Sequence, residues 1–433
     1  MIALLWERKR TVALWAVMIV LLTVAPLLGV LPVLAAMLLF VLTSFRLATG
    51  DLYVLLFALL PYANIFKVSE GVTSLYTVAE FFVFALVMLR LKKTNKGFLF
   101  AIVTLLIYML LMPAGSGHLL LVLKTVMGLG LFYGFCQTVS RRDMVTVGYL
   151  LSTTTILMML LCLYEPYRLL IEKYLFKVDM YRDTGVEVLR YGGFLGDANF
   201  CSLLIISVLT LLCVLYYHKQ IGWEFWAFFV VLGGLGLFTY SKSYILCFAM
   251  LCVLLVLLVL YPKNKRLALL SALALGALVL IVLSGRIEVF NVIFRRFMTT
   301  DLTTGRMAIN YEYLSYIFSD ARRFLLGSSI SATVIEGNDH IVHNTYIELI
   351  YRLGAAGGAL YVACLMAGMR RRTLLYEKTT WHAVNFLPLA FVAVMLFFLP
   401  ALTDYALVFH LMIAYAGIHI HTLPSGDKQR GEA

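Results

Sequence analysis

The sequence predicts an all-α protein: a polytopic transmembrane bundle of about 12–14 helices with a large extracytoplasmic loop region of amphipathic helices. Three observations carry this. Of 433 residues, 62% are hydrophobic and 13% charged, where a soluble domain carries roughly 25% charged residues. Mean hydropathy is +0.94, and many apolar runs reach the roughly 17–25 residues that cross a hydrocarbon core as helix. The ten-residue alternation of a membrane barrel does not occur.

In chain order the apolar segments fall at about 12–25, 28–45, 51–63, 74–91, 97–114, 118–139, 144–165, 199–217, 222–238, 243–261, 266–283, 343–367, 384–400 and 404–421. Pro26, Pro32 and Pro61 interrupt the first three, which predicts short, tilted or half-crossing helices there. Arg8, Lys9 and Arg10 precede an apolar run of the uncleaved-anchor kind. The chain therefore divides into N-terminal helices (1–165), an outer loop (166–198), central helices (199–284), a large outer loop (285–342), and C-terminal helices with a cytoplasmic tail (343–433).

Net charge is +12, from 35 Lys+Arg against 23 Asp+Glu. With the N-terminus inside, about 20 basic and 7 acidic residues face the cytoplasm, among them Arg8–Arg10, Arg90–Lys96, Lys263–Arg266 and Arg370–Lys378. The remainder sums to about −1. The whole excess is a positive-inside bias and gives no reason to invoke nucleic acid. The seven cysteines lie in or at the ends of apolar segments, without CxxC or metal spacing, and read as small core hydrophobes.

Two connections are long, 166–198 and 285–342, and both fall outside in this topology. Their charges are balanced and interleaved with aromatics, as in folded segments on a membrane face. The run 306–318, RMAINYEYLSYIF, has helical apolar spacing and predicts an amphipathic interfacial helix. Glu80, Lys124, Lys242, Glu348 and Asp404 sit near the outer ends of apolar segments, with Arg352 nearer the midplane. Such groups face a bundle interior or an aqueous cavity. Glu348 and Arg352 stand i, i+4, suited to pairing on one helix face.

Three stretches carry candidate chemistry. Arg190-Tyr-Gly-Gly-Phe-Leu-Gly-Asp-Ala-Asn199 precedes an apolar helix that Asp197 or Asn199 can cap. Thr239-Tyr-Ser-Lys-Ser243 joins two helices. The third runs from Thr304-Gly-Arg306 to Asp339-His-Ile-Val-His-Asn-Thr-Tyr-Ile-Glu348, placing His340 and His343 i, i+3 at the start of a helix. HxxH without further ligands at fixed spacing is a poor metal site; a single imidazole as base or hydrogen-bond partner fits better.

These stretches, in this order, resemble the bacterial O-antigen ligases and O-antigen (Wzy-type) polymerases, GT-C-type membrane glycosyltransferases. The resemblance covers roughly residues 185–370, and HNTYIELIYRLGAAG after a long outer loop is its most specific part. It implies metal-independent glycosyl transfer, without a cofactor, from an undecaprenyl-pyrophosphate-linked oligosaccharide. In that scheme Lys242 and Arg306 engage the pyrophosphate and His343 engages or deprotonates the acceptor hydroxyl. Arg190, Asp197, Asn199, Arg296, Asn344, Glu348 and Arg352 complete the expected substrate site. Lys242 stands where an arginine is usual, and Ala198 where a proline is usual; the first replaces a bidentate fork by a point charge.

The expectation is a polysaccharide polymerase of the bacterial cytoplasmic membrane, acting at its outer face on another lipid-linked repeat unit. A repeat-unit flippase and a chain-length regulator are its candidate partners. The alternatives are a ligase delivering finished glycan to a lipid, teichoic-type or protein acceptor, and a transporter of lipid-linked sugars. A transporter calls for internal repeats and broken midplane helices, whereas here no repeat is evident and the ionisable residues cluster outward.

Overall fold

The computed structural model describes residues 7–67, 74–91, 93–175, 179–183, 186–283, 291–292, 305–335, 340–373, 382–402 and 405–425. Helices α1 (Lys9–Leu28), α2 (Leu31–Ser44), α3 (Thr49–Leu59), α4 (Leu75–Arg90), α5 (Lys96–Leu110), α6 (His118–Thr138) and α7 (Arg141–Leu163) come first. Helix α8 (Glu165–Leu175) then leads to an antiparallel hairpin of β1 (Asp179–Asp183) and β2 (Val186–Arg190), with Met180 opposite Leu189. The central helices are α9 (Ala198–Tyr217), α10 (Glu224–Leu237), α11 (Lys242–Leu254) and α12 (Lys265–Leu283). Helices α13 (Arg306–Phe318) and α14 (Ala321–Leu326) precede α15 (Thr345–Thr373), α16 (Leu387–Leu396) and α17 (Tyr405–His419).

Among the described residues six helices are long and apolar enough to cross a membrane: Lys9–Leu28, His118–Thr138, Arg141–Leu163, Ala198–Tyr217, Lys242–Leu260 and Thr345–Met369. Other expected segments are shorter apolar helices, such as Lys96–Leu110 and Glu224–Leu237. The first segment departs from expectation, being a continuous helix of 20 residues with Pro26 inside its last turn. A proline so near the C-terminus removes one backbone donor and leaves the earlier turns intact. Pro32 sits in the first turn of α2, where its missing N–H is not needed, and Pro61 in a short 3-10 turn after α3. The described part of 166–198, expected as a loop, holds most of α8 and the hairpin.

Large apolar side chains face outward, with Leu89 83%, Leu111 81% and Phe100 76% exposed. A soluble protein does not present such a surface, whereas lipid tails solvate it. Helix α9 is the central post: 89% of its apolar window is buried, against 33% for α1. Its polar side chains are satisfied inside the bundle, Ser202 by the Ala198 carbonyl and Ser207 Oγ by His410 Nδ1 of α17 at 2.9 Å. Trp15 Nε1 donates to Thr154 Oγ1 at 3.0 Å, tying α1 to α7. At the opposite end from the candidate motifs, Arg8 pairs with Asp51 at 2.9 Å and with Asp143, fastening α1, α3 and α7 together.

Residues 306–318 form α13, as their periodicity predicts. One face buries Tyr313 and Ile317 with Val342 and Tyr351, while Met307, Tyr311 and Phe318 stay exposed. Helix α15 is broken at Gly354, whose φ of 66° and ψ of 176° are not helical. There the chain after α14 crosses it. Tyr108 Oη donates to the carbonyls of both Leu326 and Leu353 at 2.8 Å, bracing the crossing from α5.

Candidate functional site

The sequence motifs lie at the beginnings of α9, α11, α13 and α15. The first four N–H groups of any helix lack intrahelical acceptors, so each start is an electropositive end that accepts a cap or an anion. Asp197 caps α9, its Oδ1 accepting from Asn199 N at 2.6 Å and Phe200 N at 3.1 Å. The approach is tight: a Cβ on Gly192 would stand 2.7 Å from Asp197 N. Ser241 caps α11 through Tyr244 N, directly after Tyr240, which holds a left-handed φ of 47°. Lys242 is thus the first residue of α11 and is half-buried. Gly305 precedes α13 and makes half-buried Arg306 its first residue. Asn344 caps α15, accepting from Tyr346 N at 2.9 Å and Ile347 N at 3.2 Å, with half-buried His343 immediately before it.

Hydrogen bonds join the first two motifs. Asn199 Oδ1 accepts from Arg190 Nη2 at 3.2 Å and from Ser241 Oγ at 3.0 Å; Ser241 Oγ in turn stands 2.8 Å from Ser243 Oγ. Ser202 Oγ donates to Thr239 Oγ1 at 3.1 Å. Arg190 is buried, and Asn199 and the Thr239 carbonyl are among its acceptors. This arrangement gives Arg190 and Asn199 the work of positioning α11, and with it Lys242.

Electrostatics joins the other two. Burial first, and then the Arg306 charge, hold the His343 imidazole below its usual 6.5; His340 pushes the same way and Asp197 opposes. His343 thus feels the charges of Arg306, Asp197 and His340, residues at or just before the starts of α13, α9 and α15. A depressed value leaves the imidazole neutral at pH 7, able to accept a proton.

Glu348 and Arg352 form a buried pair, Oε1 to Nη2 at 2.9 Å. Each has a second tie, Leu402 N to Glu348 Oε2 at 3.0 Å and Arg352 Nη1 to the Ile330 carbonyl at 2.8 Å. Thr345 Oγ1 accepts from Ala401 N at 3.0 Å. These contacts stitch the first turns of α15 to the segment before α17 and to the chain below α14. Glu348 and Arg352 set the backbone that carries His343 and Asn344.

One expectation is placed differently, and two residues are not described. His340 and His343 are in the non-helical chain before α15, not on the helix, because Asn344 and not a histidine supplies the cap. Arg296 and Asp404 lie outside the described residues. Among the described residues no group of three or more His, Cys, Asp or Glu is arranged to hold a metal ion. The described cysteines are free, and all but half-buried Cys252 are buried.

Ser241 and Ser243 are the members that sequence reasoning passed over as individuals. Their i, i+2 spacing at a helix start was the available signal, since serine hydroxyls there seek backbone and side-chain partners. Taken together, hydrogen bonds tie Arg190 and Asn199 to Ser241, the cap before Lys242, and the charges of Arg306 and Asp197 act on the His343 imidazole. No family model, curated protein or solved structure matches this chain.

Proposed function

We propose that this protein is a membrane glycosyltransferase that uses a glycan linked to a lipid pyrophosphate, of the undecaprenyl kind, as donor and a sugar hydroxyl of another lipid-linked repeat unit as acceptor. One observation carries the reading: Lys242 and Arg306 stand at the starts of α11 and α13, and His343, half-buried just before α15, is held neutral by burial and then by the Arg306 charge.

The chemistry follows from charge. The acceptor oxygen attacks the anomeric carbon, and its proton passes to the His343 imidazole. The bond from that carbon to the pyrophosphate oxygen breaks, and the electron pair leaves with the pyrophosphate. Negative charge develops on the departing group, where fixed ammonium, guanidinium and helix-start N–H groups stabilise it most. Lys242 and Arg306 supply the electrostatic role that a divalent cation fills in other transferases. The amphipathic α13, with Met307, Tyr311 and Phe318 exposed, suits a helix lying at the membrane surface beside the lipid donor.

The decisive experiment incubates the purified full chain in lipid with synthetic undecaprenyl-pyrophosphate repeat units. The expected result is a ladder of longer lipid-linked glycans that forms equally in EDTA. No product with any lipid-pyrophosphate glycan, or activity that Mg²⁺ or Mn²⁺ alone restores after chelation, overturns the proposal.

A further inference from the structure

At the end of α9 opposite the candidate site, two lysines face a cleft of about 410 Å³ lined by Tyr149, Tyr216, Lys219, Gln220, Glu224 and Lys263, among others. Two uncommon backbone features deliver them. Lys219 terminates α9 with a left-handed φ of 57°. Its N–H reaches the Tyr216 carbonyl at 3.1 Å and the Gln220 N–H reaches Leu215 at 2.9 Å. That position is normally a glycine's, because a side chain there crowds the backbone. Lys263 follows the π-wound segment Leu255–Leu260, where Tyr261 N donates to Val256 O at 2.8 Å. A π-wound turn carries about one residue more than an α turn and so shifts the phase of the helix end, an irregularity that tends to accompany functional sites. Lys263 Nζ then donates to the Tyr216 carbonyl at 2.8 Å and lies 4.5 Å from the Tyr216 ring centroid.

The cleft is net positive, with two ammonium groups against one carboxylate. Burial and the Lys219 charge both lower the Lys263 pKa, so the two ammonium groups act on each other. Among the described residues neither has a carboxylate at salt-bridge distance. The one acid lining the cleft, Glu224, accepts from Tyr149 Oη at 3.2 Å and from Gly222 N at 3.0 Å. Trp223 and Tyr261, near the cleft residues Gly222, Glu224 and Lys263 in the chain, are 77% and 54% exposed. Exposed Trp and Tyr at the ends of apolar helices mark the headgroup level of a bilayer.

We propose that Lys219 and Lys263 form a phosphate-binding cleft on the basic face of the protein, independent of the glycosyl-transfer reading. Two converging ammonium groups with aromatic walls suit a monoanionic phosphate, carried by a lipid headgroup or free in solution. A phosphodiester presents its oxygens to both lysines while its acyl chains run along the exposed apolar surface near Leu257.

The test uses the full chain in nanodiscs of phosphatidylcholine with increasing phosphatidylglycerol, with retained lipid counted by native mass spectrometry. A parallel arm titrates inorganic phosphate in detergent and follows thermal unfolding. The double variant Lys219→Gln/Lys263→Gln is expected to retain phosphatidylglycerol about tenfold less well. The control Lys93→Gln/Lys96→Gln, with the same charge change at exposed positions away from the cleft, should retain it normally. Phosphate stabilisation of the parent without phosphatidylglycerol selectivity assigns the cleft to a soluble phosphate. Equal loss in both double variants, or no binding of either probe, overturns the site. Lys219→Gly guards against misfolding: it relieves the left-handed backbone, so unfolding should shift up while phosphate binding falls. Higher stability with unchanged binding makes Lys219 a helix terminator only, and also overturns the proposal.

Discussion

Gly327 and Gly354 cross backbone to backbone: a Cβ on Gly354 would stand 2.4 Å from Gly327 N, and one on Gly327 2.5 Å from Gly354 N. Both hold positive φ, 73° and 66°. The crossing seats the chain below α14 against the break in α15, while Ser328 N donates to the Tyr351 carbonyl at 2.8 Å. Flexible side chains could move aside, but these neighbours are main chain. Gly354→Ala should therefore cost about 2–4 kcal/mol, combining a forbidden dihedral with a clash. Thermal unfolding measures it against Gly234→Ala, where a Cβ meets nothing within 4 Å. Equal unfolding temperatures for the two variants would remove the crossing from the account.

Parts of this arrangement were legible in the sequence because they are local. The 306–318 periodicity marks α13, and i, i+4 spacing pairs Glu348 with Arg352. Asp197 reads as a cap because a polar residue stands just before an apolar run. The Arg190–Asn199–Ser241 link was not legible, since it joins residues on different elements and no spacing rule covers it. The left-handed Tyr240 and Lys219 escape for another reason: sequence rules expect glycine or asparagine there. Pro26 misleads because a breaker's effect depends on its place in the helix.

Asn199 is a positioning residue, and its substitutions should separate shape from charge. Asn199→Leu leaves the buried Arg190 guanidinium short of an acceptor, a loss of about 2–3 kcal/mol. Asn199→Asp keeps an acceptor for both Arg190 and Ser241 and should restore stability and turnover together. Unfolding midpoints and turnover measured on both variants check this. Equal damage from both would show that Asn199 touches substrate directly.

Lys242→Arg distinguishes a pyrophosphate ligand from a base. An arginine fork matches phosphate oxygens and should hold or improve donor affinity. A lysine acting as neutral base cannot be replaced this way, because guanidinium stays protonated. His343→Ala should leave donor affinity nearly unchanged and lower turnover by about 10²–10⁴. Donor binding and single-turnover rates decide; loss of donor binding in His343→Ala with an inactive Lys242→Arg reverses the roles.

The orientation of the bundle is open to direct labelling. Asp320 and Arg266 are exposed at opposite ends of the expected topology, and the described native cysteines are buried or half-buried, so background labelling should be low. Asp320→Cys should react with an impermeant maleimide in spheroplasts, and Arg266→Cys only after permeabilisation. The reverse pattern would put α13 and His343 on the cytoplasmic side, where a lipid-linked repeat unit awaiting export is a different substrate.

The pH profile tests the coupling between His343 and its neighbours. With its pKa pushed below 6.5, His343 is a competent base at neutral pH. Turnover should fall only as pH drops through that lowered value, when the imidazole takes up a proton. Arg306 is the largest charge lowering it, so Arg306→Gln should raise the His343 pKa. The acid limb then moves to higher pH, even though overall turnover is reduced by the lost donor contact. Asp197 acts in the opposite sense. Asp197→Asn removes a nearby negative charge and should move the limb to lower pH, while asparagine still caps α9. Opposite displacements by two variants on different helices cannot come from a general loss of structure. A limb that stays fixed in both, or moves the same way in both, would mean that His343 is not the titrating base.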